Sequence, residues 1–84
     1  MMRRAVFITV PPRDDYVLRA TGLTWHVDRA HGDGSVSRVS EAGERDRAVA
    51  LGALRSLAER DGTDAWDGAG FGFYRLVARH HRWP

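Results

Sequence analysis

The sequence contains no cysteine, no lysine, no asparagine and no glutamine. Without cysteine there is neither a disulfide framework nor a thiolate metal site. Without lysine, all thirteen basic residues are arginine. Lysine, asparagine and glutamine use A-rich codons, so their absence is the bias of a very G+C-rich genome, bacterial or phage. No apolar run approaches the ~18–20 residues of a membrane span. The arginines at positions 3 and 4 precede an apolar stretch too short for a signal-peptide core, and no small-residue cleavage site follows. A cytoplasmic protein without a membrane partner is expected. The formal net charge is only +2, which permits a polyanionic partner without demanding one.

Eighty-four residues make a single domain spanning 1–84. A chain of this size buries about 60–65% of its unfolded surface, enough to fold alone with little margin. Its clearest periodicity lies between Glu44 and Arg60. At the helical repeat, Ala50, Leu51, Ala53, Leu54, Leu57 and Ala58 fall in one arc of roughly 160°, with Arg55, Ser56, Glu59 and Arg60 opposite. Acidic Glu44 and Asp46 stand near the positive end of this helix and Arg60 near its negative end. Asp61-Gly62 supplies the left-handed stop. The stripe needs a surface to bury it.

That surface is expected from strands. Ala5 to Val10 is β-branched and aromatic, and Pro11-Pro12 ends it. Tyr16 to Ala20 and Leu23 to Asp28 alternate, with Trp25 and Val27 on one face and His26 and Asp28 on the other. Asp33-Gly34 predicts a two-residue hairpin turn into a short strand over Ser35 to Val39. A glycine-spaced connector carrying Trp66 follows the helix, and Phe71 to His80 closes the chain as a strand. The class is therefore α+β: an antiparallel sheet of four to five strands, order β-β-β-(β)-α-β, with the helix across one face. The uncovered face, if apolar on so short a chain, predicts a homodimer.

The closing strand carries the strongest functional signal. Strict alternation places Phe71, Phe73, Arg75, Val77 and Arg79 on one side, with Tyr74, Leu76 and Ala78 on the other. Burying Arg75 unpaired under the helix costs several kcal/mol, more than covering two phenylalanines returns at about 1.5–3 kcal/mol each. Tyr74 and Leu76 are thus expected inward, with Phe71 and Phe73 outside beside the arginines and Arg82 extending the surface. Interleaved rings and guanidinium groups suit single-stranded nucleic acid, whose bases stack while its phosphates pair. The plainer alternative places both phenylalanines in the core. Gly70-Phe71-Gly72-Phe73 resembles the ribonucleoprotein motif of RNA-recognition domains and cold-shock proteins, and Val6-Phe7-Ile8 resembles its companion in RNA-recognition domains. Ala69 stands where those families have a basic residue and Leu76 where they have an aromatic one. Their folds are set aside, and only the local physics is kept.

A strand with Trp25-His26-Val27, a glycine turn, a short strand and a helix opening before Ala48 resembles the arm-binding N-terminal domains of phage integrases. It is similar also to small uncharacterised bacterial domains and, more loosely, to HicB-like antitoxins. The integrase resemblance implies a sheet laid in a DNA groove, with readout by Arg19, His26, Arg29 and Arg38. Trp66, between two aspartates, reads either as a plug over the helix end or as an exposed partner anchor. A partner-binding alternative therefore uses Trp66, Arg19 and Arg38.

Catalysis and metal binding find less support. His26, Asp28 and His31 are candidate ligands, with His80-His81 able to join them, but cysteine-free zinc sites need three or four ligands held by further contacts. No metal and no cofactor are expected. Serines 35, 37, 40 and 56 lack a glycine-framed elbow, and no carboxylate pair sits in a recognisable motif. The expected protein is a non-enzymatic binding protein acting on nucleic acid. The alternative is a protein–protein module, such as a phage-encoded modulator of a host machine or an antitoxin-like regulator.

Overall fold

The computed structural model describes residues 6–39 and 43–78. The class is α+β: one helix against a six-stranded mixed sheet. The strands are β1 (Phe7–Ile8), β2 (Tyr16–Thr21), β3 (Thr24–Ala30), β4 (Val36–Arg38), β5 (Ala65–Asp67) and β6 (Phe73–Val77), with α1 (Arg47–Asp61) between β4 and β5. Their spatial order is β1-β6-β5-β2-β3-β4. All neighbours are antiparallel except β2 and β5, which run parallel.

The count exceeds the expected four to five because the glycine-spaced connector contributes β5. Three residues cannot display an alternation of their own. Ala65–Asp67 is strand because it bonds to β2 on one side and β6 on the other. The hairpin turn also differs. Gly34 N–H donates to His31 O (3.0 Å) and His31 N–H to Ser35 O (2.8 Å), with Gly34 at φ 91°. That is a three-residue loop with a left-handed glycine in its bulge position, in place of the Asp33-Gly34 two-residue turn.

Helix α1 starts at Arg47, later than the acidic residues suggest. Asp46 is its N-cap, accepting from Ala48 N–H at 2.9 Å. Glu44 instead exchanges backbone hydrogen bonds with Trp25, at 2.7 and 2.8 Å. Gly62 caps the other end at φ 68°, and Thr63 N–H reaches back to Ala58 O. Ala50, Leu54 and Ala58 are buried against Tyr16, Leu18, Val27 and Ala65, while Ala53 is exposed. The helix end is tied down by Asp61, which accepts from the Tyr16 hydroxyl and from Arg60 and Arg29. Hydrogen bonds from Arg60 first and Tyr16 second hold the Asp61 carboxyl well below the usual carboxylate range.

A small second cluster lies on the sheet face away from the helix. Val17, Ala30 and Trp66 are buried there, with Ile8 and Phe73 against them. The segment linking β1 to β2 has to pass this face, because β6 and β5 separate the two strands. Pro12 is buried along the way, Arg13 donates to Gly32 O (3.3 Å), and Asp14 takes a left-handed φ of 66°. Asp15, itself buried, accepts from Asp64 N–H (3.1 Å) and from the Trp66 indole N–H (2.9 Å). The face expected to lie open is thus partly covered by the chain's own crossing. Among the described residues no helix is long and apolar enough to cross a membrane.

Candidate nucleic-acid interface

Strand pairing lays out the face opposite the helix in rows. One row runs Arg75, Trp66, Val17, Asp28, Arg38 from β6 to β4. Alongside it, Phe73, Arg19 and His26 stand on the same face, with Gly68 between Phe73 and Arg19. A Cβ at Gly68 would sit 2.6 Å from Val17 Cγ1 and 2.8 Å from the Phe73 ring, so glycine is what lets that ring lie down on the strand. Arg19 donates to the Gly68 carbonyl and holds its guanidinium 5.6 Å from the Phe73 ring centroid.

A bulge between β5 and β6 breaks the alternation expected of the closing strand. Phe73 and Arg75 stay on the far face, whereas Val77 turns to the helix side and joins its core. Phe71 precedes the strand and is fully exposed. Phe73 is half-buried, and Arg75, with a side chain 34% exposed, approaches Asp64 at 3.9 Å. Tyr74 and Leu76 are exposed, contrary to the inward placement expected for them. The reason is width: the helix covers β2, β3 and β5, and the sheet continues past it to β6 and β1. Tyr74 packs instead on Phe7, ring centroids 4.6 Å apart. Arg79 and Arg82, like His80 and His81, lie outside the described residues.

Of the alternative anchors, Arg19 and Arg38 belong to this face, but Trp66 is only 6% exposed and cannot serve as a protruding anchor. Its surroundings explain the burial: apolar neighbours on the ring and the Asp15 carboxylate on the one polar atom.

The polar side chains on the β3–β4 end have one consistent arrangement. Arg38 lies 3.1 Å from His26 Nε2. Arginine can only donate, so in this contact Nε2 is the acceptor. Asp28 Oδ1 lies 3.6 Å from that same nitrogen, beyond hydrogen-bond distance. It is buried and, among the described residues, has no hydrogen-bond partner. His31 Nε2 is engaged with Ser37 Oγ at 2.8 Å. Among the described residues no group of three or more potential metal ligands gathers.

Beside Asp28 the crossing segment roofs a cavity of about 240 Å³. Pro11, Val17, Ala30, Val36 and Phe73 form apolar walls, with Asp28 and Arg19 as the polar contributors. The sequence could place Asp28 on this face but not Pro11 above it, since the position of the crossing depends on β1 pairing with β6. No family model matches the chain, and neither does any curated protein or solved structure.

Proposed function

We propose that the protein binds single-stranded nucleic acid on the sheet face away from the helix. One observation carries the reading: the Arg19 guanidinium held against the Phe73 ring, on a face whose row ends in Arg75 and Arg38. Guanidinium groups meet phosphates, and the rings of Phe73 and of exposed Phe71 offer stacking surface. Arg79 and Arg82 follow this strand in the sequence and lie outside the described residues. The binding needs no catalytic group, and the protein acts as a non-enzymatic binder.

Anisotropy of a labelled single-stranded 12-mer at low salt tests this. The expected result is saturable binding whose log–log salt slope is about −2, as roughly −0.7 per phosphate and three arginines imply. Phe73→Ala is expected to weaken it about tenfold, the effect of one lost stacking ring. Unchanged anisotropy at high micromolar protein would contradict the reading.

A second reading, a protein–protein module, is favoured by a different feature. The Phe7–Tyr74 pair and Leu76 stand exposed where the sheet outruns the helix, an apolar surface that a host protein or a second copy would cover. Its signature is affinity that hardly responds to salt.

A further inference from the structure

Resting on the nucleic-acid reading above, we propose that the cavity beneath Pro11 is a base-reading pocket that admits one nucleobase edge-first toward Asp28 and favours guanine.

Three features converge on it. At about 240 Å³ the cavity falls below the ~300–1,000 Å³ of pockets for drug-sized ligands, so it suits a ring system without its sugar and phosphate. The walls are apolar and include an aromatic ring, as an inserted base requires. The polar groups are of opposite sign: Asp28 offers only acceptors, and Arg19 offers only donors.

Asp28 is the discriminating group. Among the described residues its Oδ1 has no hydrogen-bond partner, and His26 Nε2, 3.6 Å away, is already engaged with Arg38. A carboxylate left in this state beside an apolar cavity is costly unless a donor arrives. Guanine presents two adjacent donors, N1–H and the N2 amino group, which match the two oxygens of a carboxylate. They do so once a turn about the terminal side-chain bond brings the buried Oδ1 to the cavity, a turn that gives up no hydrogen bond among the described residues. Adenine and cytosine present one amino group next to a ring acceptor that a carboxylate repels. Thymine and uracil present a single N–H flanked by carbonyls. Arg19 then lies where the phosphate flanking an inserted base needs a cation.

Other occupants fit less well. A lysine or arginine side chain of a protein partner would satisfy Asp28 but would meet the Arg19 guanidinium. A purely apolar ligand would bring no donor to the carboxylate. A metal would find one carboxylate, beside an imidazole nitrogen already engaged.

The test compares two nine-nucleotide strands, one all thymine and one with a single central guanine, by anisotropy with wild-type protein and with Asp28→Asn. The wild type is expected to bind the guanine strand roughly tenfold more tightly, the scale of one good bidentate base contact. Asp28→Asn is expected to reduce that preference to within twofold and to melt no lower. If the wild type binds both strands equally, the pocket is overturned while the nucleic-acid reading stands. If Asp28→Asn keeps the tenfold preference, Asp28 is not the reader and the proposal fails. If neither strand binds and an arginine-rich peptide does, the functional reading falls and takes the pocket with it.

Discussion

Replacing Asp15 with alanine will destabilise the domain by on the order of 2–5 kcal/mol, because two buried donors lose their acceptor together. Asp15 takes the Asp64 N–H on one oxygen and the Trp66 indole N–H on the other. Both partners are as buried as Asp15 itself. An orphaned buried donor costs ~1–3 kcal/mol, so two of them account for the figure. A domain of this length holds only about 4–13 kcal/mol in total. Each kcal/mol moves the melting temperature by ~4–8 °C at this size, so a fall of 10 °C or more is expected. Asp15→Asn, which keeps the shape and one acceptor, should recover part of it. The tryptophan near-ultraviolet signal should weaken with alanine before the helical signal does, since the loss begins at Trp66. An alanine variant melting within 2 °C of wild type would show that β5 holds its place without this carboxylate.

Leu54→Ala is the second large effect. Leu54 is fully buried at the middle of α1, against a cluster built by Tyr16, Leu18 and Val27. Truncating a leucine there costs ~2–5 kcal/mol in lost transfer energy and cavity. Among the described residues the core has few large members, with Leu18, Leu54 and Val27 the largest fully buried side chains, so little is at hand to collapse into the gap. Thermal melting should show a fall comparable to that of Asp15→Ala, here with helical and tryptophan signals lost together. Ala53→Ser makes a suitable control because Ala53 is exposed. It should change the melting temperature by no more than a few degrees.

These two residues mark how far the sequence could be read. Leu54 was legible because helical periodicity is local: the stripe, the acidic start and the Asp61-Gly62 stop lie within one short stretch. β2 and β3 were legible for the same reason, their alternation showing within Tyr16 to Ala20 and Leu23 to Asp28. Asp15 was not legible, since its role depends on partners 49 and 51 positions away. β5 needed pairing from both sides before three residues could count as a strand. The bulge that turns Val77 away from Arg75 leaves no mark in the composition, and strict alternation misplaced Val77 accordingly. Tyr74 and Leu76 were expected inward on the premise that one helix covers the whole face, but a six-strand sheet is wider than one helix. The candidate surface divides along the same line. Arg19, Arg38, Phe73 and Arg75 could be placed as exposed or half-exposed strand positions. The cavity between them could not, because its roof comes from the N-terminal crossing.

Amide chemical-shift mapping of the full chain with a single-stranded oligonucleotide tests the central claim most directly. Perturbations are expected to centre on Arg19, Asp28, Arg38, Phe73 and Arg75, with the outer helix positions Arg55 and Glu59 unmoved. Perturbations confined to Phe7, Tyr74 and Leu76, or none at saturating oligonucleotide, would contradict it.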